Sequence, residues 1–189
     1  MAGVRVMRLQ QICGGFAPVE ESAGVAVTQI GRSKLDVAID LIKSKVAAGE
    51  KVVVFHRFVA EGQALCDALR LESIKASTFN GSVSEEERHR RHKEFQEGDL
   101  DVLIMQISTG SMGITLDASH INVFYSLTYR LVDLQQARDR VMGRGQKHDV
   151  TNYFLAVENT VDEKIMRTLA KDEDLASSIA DRWRWVMDT

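Results

Sequence analysis

The sequence is poor in the residues and segments that mark several protein classes. Its 189 residues include one proline, Pro18, and two cysteines, Cys13 and Cys66. A single proline lets helices and interior strands run without interruption, and it disfavours all-β folds rich in turns. Because the cysteines form no CxxC or histidine-paired spacing, neither a disulfide scaffold nor a metal site is expected. The longest apolar run is five residues, Tyr153 to Val157, whereas a membrane-spanning helix needs about 20.

Charge and hydrophobicity narrow the class further without naming a partner. The 24 basic and 27 acidic residues give a net charge of −3, which is no broad bias toward either sign. The hydrophobic share of 44% is too high for a disordered chain. Residues Met1 to Gln10 lack the apolar core of a signal peptide. These features predict a soluble, cytoplasmic protein that does not associate with a membrane.

Helix-like and strand-like segments alternate along most of the chain. Leu35 to Val46 carries apolar residues at helical spacing, and Lys51 to Phe55 follows as a β-branched run typical of a strand buried on both faces. Further strands are predicted at 74–79, 102–105, 121–125 and 151–157, with helices between them. This order predicts an α/β fold in three layers, with a doubly wound, mainly parallel sheet.

The two ends of the chain depart from this alternation and set the predicted domain boundaries. Residues 1–32 are predicted to form a short helix followed by a long loop or linker, because 14–32 has several glycines, Pro18 and no clear period. Residues 33–170 are predicted to form the main domain. Residues 171–189 are predicted to form a helical extension that carries Trp183 and Trp185.

Polar residues follow the predicted strands, at the sheet edge where open parallel sheets bind ligands. They comprise His56 and Arg57, then Asn80 and Gly81, then Ser108, Thr109 and Gly110, and finally a helix with Gln136, Arg138 and Arg140 that leads to Arg144. All of them are predicted to lie along one edge. Amides, hydroxyls and guanidinium groups are donors that phosphates accept, so this edge predicts phosphate binding.

Each of these features also has a plainer interpretation. A small polar loop after a strand is often only a turn, and arginines on a helix often form a solvated face. The basic run from Arg88 to Lys93 is flanked by Glu85 to Glu87 and by Glu94, which favours ion pairs within a solvated helix over nucleic-acid contact. No GxxxxGK[ST] loop and no strand-following acidic pair for Mg²⁺ occurs, so the chain offers half of a nucleotide site.

Six segments in order resemble the C-terminal RecA-like lobe of Swi/Snf-type ATPases, the helicase-related motors of superfamily two, in their compact phage or prokaryotic form. The resemblance covers Ser33 to Leu169, and Val4 to Cys13 resembles the helix that leads into such lobes. With that helix, the six segments are Lys34-Leu35 with Lys51 to Phe58, Asn80-Gly81-Ser82 followed by Glu87-Arg88 and Phe95, Thr109 to Leu116, Gln136 to Arg140 with Gly145-Gln146, and Asn159 to Ile165.

The resemblance implies roles for individual residues. Arg140 matches an arginine expected to reach the phosphates of ATP bound on a partner lobe, and Gln136 matches the leading glutamine of the same motif. Gly113 and Thr115 match positions that approach the nucleotide. The residues that match positions facing the DNA backbone are His56, Arg57, Asn80, Gly81, Ser108, Thr109 and Gly110.

The resemblance also implies cofactors and partners. The cofactor is ATP with Mg²⁺, whose phosphate cradle and metal ligands belong to an N-terminal RecA-like lobe on the same or a separate polypeptide. The second partner is double-stranded DNA. The isolated chain is therefore expected to be inactive, and to act only as half of a two-lobe ATP hydrolase.

One departure from the family pattern keeps other functions open. A second arginine is expected at position 143, but the sequence has Gly143, with Arg144 one place later as a further catalytic candidate. A nucleic-acid-binding or regulatory module that has lost ATPase function is the main alternative. A third interpretation is a small doubly wound enzyme with its own substrate, for which the sequence offers no nucleophile or acid–base pair.

Overall fold

A six-stranded, wholly parallel sheet forms the centre of the molecule. The computed structural model describes residues 2–21, 24–79, 84–109, 113–143, 145–171 and 183–188. The strands are β3 (Val52–His56), β4 (Ala76–Phe79), β5 (Val102–Gln106), β6 (Ile121–Phe124), β7 (Thr151–Val157) and β8 (Trp183–Asp188), in the spatial order β4-β5-β3-β6-β7-β8. The predicted α/β fold with a doubly wound parallel sheet is confirmed.

Helices cover both faces of the sheet because its central strands are apolar on both sides. The helices are α1 (Ala2–Cys13), α2 (Ser33–Ala47), α3 (Val59–Leu71), α4 (Glu85–Glu97), α5 (Leu131–Val141) and α6 (Val161–Lys171). Val52 and Val54 of β3 pack with α2 and α3, whereas Val53 and Phe55 face the side covered by α4, α5 and α6. This alternation follows from the two-residue period of a strand.

The amino-terminal region contains a hairpin where the sequence predicted a loop. Strands β1 (Phe16–Glu21) and β2 (Gly24–Gln29) pair antiparallel, and Pro18 lies opposite Val27. Proline is tolerated here because a two-stranded ribbon leaves one side of each strand without a ladder partner. The chain passes from α1 into the hairpin through Gly14 and Gly15. Gly15 adopts a positive φ of 89°, and its carbonyl accepts a hydrogen bond from the amide of Ile30.

The carboxyl-terminal residues also differ from the prediction. Residues 183–188 form β8, which pairs parallel with β7 from Asn152↔Trp183 to Val157↔Asp188, in place of the predicted helix. Trp183, Trp185 and Met187 alternate with other residues, and this period of two fits a strand better than a helical face. No helix among the described residues is long and apolar enough to cross a membrane.

Candidate functional site

The two segments assigned to the nucleotide by the resemblance meet at the end of α5. The amide of Leu116 donates to the carbonyl of Arg140 over 2.7 Å, although the residues are far apart in sequence. The Cγ2 methyl of Thr115 lies against Gly143, where an added Cβ would overlap it. Position 143 therefore has no room for a larger residue without movement of Thr115, which gives a physical reason for glycine there.

Helix α4 holds the same segment from the other side. The Nε2 group of Gln96 donates to the carbonyl of Thr115 over 2.8 Å and to Oδ1 of Asp117 over 2.8 Å, while its Oε1 accepts the amide of Ala118 over 2.9 Å. His92 Nε2 lies 2.7 Å from the same Thr115 carbonyl, so it must carry the proton of that hydrogen bond. We call the contacts of His92 and Gln96 with residues 115–118 the α4 clamp.

The side chains expected near the nucleotide differ in exposure. Gly113, with a φ of 50°, and Thr115 are exposed, and so is Gln136 on α5. Arg140 is only 6% exposed, and burial lowers the pKa of its guanidinium from the usual value. Contact between Arg140 and a phosphate on another lobe therefore requires its side chain to leave its present packing.

The predicted site residues do not all share one edge of the sheet. Arg57 and Ser108 follow the carboxyl ends of β3 and β5, which lie side by side. Arg140 lies at the far end of α5, which starts after β6 and runs back toward the amino end of β7. The single edge predicted from sequence is therefore wrong for Arg140, because a crossover helix carries its last residues across the face of a parallel sheet.

Arg57 is fixed at its backbone and at its side chain. Its amide donates to Ser126 Oγ over 2.7 Å and to Glu61 Oε2 over 3.3 Å, and its carbonyl accepts Gln106 Nε2 over 3.0 Å. Its guanidinium donates to Oε1 of Gln10. Burial lowers the pKa of Arg57, and the Glu61 carboxylate opposes that shift.

His56 is placed differently from the role that the resemblance implied. Its ring is 1% exposed, lies against Gly62 and has Nδ1 2.9 Å from the carbonyl of Phe58. Burial lowers the pKa of His56 to about 4, so the ring is neutral near pH 7. In this structure the ring packs against α3 and the loop after β3 and has almost no surface open to solvent.

Glu61 is a site residue that the sequence reasoning missed. It is fully buried, and its Oε2 accepts from Ser126 Oγ over 2.5 Å and from the amide of Phe58 over 3.1 Å. Burial raises the pKa of this carboxyl. A glutamate in the first turn of a predicted helix was a visible signal, since such residues often bond the amides of the preceding turn.

Other predicted residues are only partly described. Ser108 is exposed within a 3₁₀ turn, Ile107–Thr109, that also contains Thr109. Asn80, Gly81, Gly110 and Arg144 lie outside the described residues.

Much of the basic run on α4 is used in local pairing. Arg90 forms ion pairs with Glu87 and Glu94, and Arg91 pairs with Glu87 and donates to the carbonyl of Thr78. This supports the solvated, paired interpretation for these two arginines. On another side of α4, an open cleft of about 750 Å³ is lined in part by His89, His92, Lys93, Lys147 and His148 together with Glu97 and Asp117.

The described residues provide donors for an anion but no metal site. Over those residues, no group of three or more histidine, cysteine, aspartate or glutamate side chains could hold a metal ion. The hydroxyl of Thr115, the amide of Gln136 and the guanidinium of Arg140 are groups that can donate hydrogen bonds to phosphate oxygens.

Comparison with known proteins gives a consistent result. Residues 33–145, more than half of the chain, match the family described as the helicase conserved C-terminal domain. The ATP-dependent helicase fft2 of Schizosaccharomyces pombe is 26% identical over 179 residues, which are 92% of this chain and 14% of that protein. The human lymphoid-specific helicase is 32% identical over 133 residues, 69% of this chain and 16% of that protein.

A solved structure matches at the level of the fold and of the sequence. The C-terminal part of the Fun30 ATPase domain superposes with a TM-score of 0.68 and 26% identity, covering 72% of this chain and 44% of that one. This chain spans 14–16% of the length of the two helicases above, so it matches one part of each. Bacterial proteins, from Mycoplasma pneumoniae and Bacillus subtilis, are among these matches together with the yeast and human ones, so the similarity does not distinguish the predicted prokaryotic setting from a eukaryotic one.

Proposed function

The chain belongs to the helicase conserved C-terminal domain family, in its Swi/Snf-type branch, and from this premise we propose that it is the C-terminal motor lobe of a DNA-dependent ATPase. In this role it contributes an arginine and DNA-backbone contacts to a nucleotide site that an N-terminal RecA-like lobe completes. ATP with Mg²⁺ bound on that second lobe supplies the phosphoryl group whose transfer drives the motor.

One observation carries the nucleotide half of this proposal. The Leu116–Arg140 hydrogen bond joins two pieces of the chain. One is the segment that contains Gly113 and Thr115, and the other is α5, the helix that carries Gln136 and Arg140. A guanidinium on a fixed helix end can offset charge that builds up on a transferred phosphoryl group, an effect worth about 10³–10⁵ in rate in comparable enzymes. The burial of Arg140 means that docking of the second lobe must provide the anion that draws the side chain out.

The DNA half of the proposal rests on the loops at the carboxyl edge of the sheet. Arg57 and Ser108 lie at neighbouring strand ends, and the resemblance assigns Asn80, Gly81, Thr109 and Gly110 to the same contact. Contacts of this kind to the phosphate backbone are independent of sequence and sensitive to salt. His56 is left out of the direct contacts because its ring is buried beneath the loop.

A second function is favoured by position 143. The resemblance expects an arginine there, and Gly143 instead packs against the methyl group of Thr115. A lobe without that arginine, and with Arg140 buried, fits a nucleic-acid-binding or regulatory module that has lost ATPase function. If Arg144 takes the place of the expected arginine, the ATPase function is favoured over the regulatory module.

The experiment is a chimera in which residues 33–170, which include β7 and α6, replace the corresponding lobe of the Schizosaccharomyces pombe relative. We expect DNA-stimulated ATP hydrolysis, which Arg140→Ala lowers by about 10³-fold while ATP binding changes little. Arg130→Ala, at an exposed arginine ahead of α5, is the matched control and should leave the rate unchanged. Thermal melts verify that each variant folds.

Two outcomes separate the proposals. An unchanged kcat in Arg140→Ala refutes the role assigned to Arg140. No hydrolysis in a folded chimera that still binds DNA supports the regulatory module. Arg144→Ala, measured in parallel, tests whether that residue supplies the second arginine.

A further inference from the structure

We propose that Gln10 of α1 is a positioning residue that holds the Arg57 side chain at the DNA-facing edge, so that α1 is a working part of this edge. The consequence for DNA binding rests on the proposed function. The positioning itself rests only on the contacts between α1 and the loop after β3.

Gln10 is buried and uses both ends of its amide across long distances in sequence. It is 1% exposed, its Nε2 donates to the carbonyl of Leu127 over 2.9 Å, and its Oε1 accepts from Nη1 of Arg57. A side chain that must donate on one side and accept on the other is fixed in a single orientation. The amide therefore connects the end of β6 to the guanidinium of Arg57.

The rest of Arg57 is constrained by other elements, which leaves its side chain little freedom. Ser126 and Glu61 bind its amide, Gln106 binds its carbonyl, and its guanidinium carbon lies 5.1 Å from the centre of the Phe58 ring. An arginine side chain normally loses much rotational freedom when it binds a phosphate. Ordering it beforehand removes that cost from binding, which is the general effect of preorganisation.

The neutral character of Gln10 matters as much as its position. A carboxylate at this point would also orient Arg57, but it would neutralise the charge that attracts phosphate. The buried Glu61 already binds the backbone of Arg57, and burial raises the pKa of that carboxyl. An amide orients the guanidinium and leaves its charge available.

The first measurement tests positioning without DNA. We expect Gln10→Leu to lower the NMR order parameter of the Arg57 Nε–Hε group below that of the wild type, at unchanged overall fold. Gln11→Leu is the matched control, because Gln11 is the neighbouring, half-buried glutamine of the same helix. Equal Arg57 order in the two variants overturns the proposal.

The second measurement tests the consequence by a double-mutant cycle on duplex DNA affinity across a salt series. We expect Gln10→Leu to weaken binding by about threefold to tenfold, and to have no effect in an Arg57→Gln background. Arg57→Gln itself should reduce the salt slope by about 1. Gln10→Glu keeps an acceptor for Arg57 but loses the donor to the Leu127 carbonyl. It should weaken binding more than Gln10→Leu, because its charge also neutralises the guanidinium.

The outcomes distinguish the positioning of Arg57 by Gln10 from its consequence for DNA binding. An equal loss of affinity from Gln10→Leu with and without Arg57 indicates a purely structural role and overturns the inference. A wild-type chain that binds no DNA at any salt concentration refutes the DNA contact in the proposed function. In that case the order of the Arg57 guanidinium still decides whether Gln10 positions it.

Discussion

The α4 clamp makes a quantitative prediction about Gln96. Substitution of Gln96 by leucine preserves side-chain size and helix propensity but removes three hydrogen bonds to residues 115–118. The protein should therefore lose stability at one defined place, residues 115–118 ahead of β6.

The magnitude follows from what each bonded group does after the change. The carbonyl of Thr115 keeps its bond to His92, and the carboxylate of Asp117 can turn to water. The amide of Ala118, which is half-buried, loses its Gln96 Oε1 acceptor. A net hydrogen bond is worth about 0.5–1.5 kcal/mol and a buried orphan donor costs about 1–3 kcal/mol. We expect Gln96→Leu to lower the free energy of unfolding by about 2 kcal/mol.

Urea denaturation with a matched control provides the assay. Gln63→Leu makes the same substitution at an exposed position of α3, where the side chain donates to the carboxylate of Asp67 one turn later. That variant should lose less than about 0.5 kcal/mol. Hydrogen exchange should localise the difference, with faster exchange at the Leu116 and Ala118 amides in Gln96→Leu alone.

An equal loss of stability in Gln96→Leu and Gln63→Leu, or unaltered exchange at Leu116, would contradict the role given to the α4 clamp. Either result would mean that the α5 end alone holds the segment through the Arg140 carbonyl. Gln96→Glu adds a pH test, because a carboxylate beside Asp117 repels it. The folded-state pKa of the new carboxyl should be raised, so this variant should gain stability relative to wild type as pH falls.

Two further predictions concern buried charge. Burial holds the pKa of His56 at about 4 in the folded protein, below its value of about 6.5 in the unfolded chain. As pH falls, His56 therefore gains its proton in the unfolded chain first. Up to about 3 kcal/mol of folding stability should be lost between about pH 6.5 and 4. Glu61 has a raised pKa, so its protonation stabilises the folded protein as pH falls and opposes the effect of His56. The quantity to measure is therefore the difference in unfolding free energy between wild type and His56→Asn as a function of pH. A difference that does not change with pH contradicts the assignment. The buried Lys34 Nζ donates to Asp162 over 2.6 Å, so Lys34→Met should cost about 3–5 kcal/mol in chemical denaturation. The exposed Lys43 gives the control: Lys43→Met should cost much less stability than Lys34→Met, and similar losses in the two variants would show that burial of the pair is unimportant.

The sheet was predictable because its strands carry their own signal. Runs such as Val52 to Phe55 and Tyr153 to Val157 are apolar at every position, as required when helices cover both faces. The amino-terminal hairpin was missed because its six-residue strands hold Pro18 and two glutamates, so no clear alternation appears. For β8, the alternating Trp183, Trp185 and Met187 carried a strand signal that the helical prediction passed over.

The placement of the predicted site residues followed from the sequence only in part. The strand-following loops identified Arg57 and Ser108 because parallel strands bring their carboxyl ends to one edge. Nothing in the spacing of the chain connects Gln10 with Arg57 and Leu127, or Gln96 with Thr115. Such pairs arise only when separate elements pack, so local periodicity contains no information about them.

The sequence by itself determined that this chain folds as a parallel α/β lobe and which motifs that lobe presents, because hydrophobic period and loop chemistry act over a few residues. Tertiary structure decided which of those residues are available. It buried His56 beneath Gly62, packed Thr115 against the glycine at position 143, and carried Arg140 away from the edge that holds Arg57. These results depend on contacts between residues distant in sequence, and such contacts exist only in the folded chain.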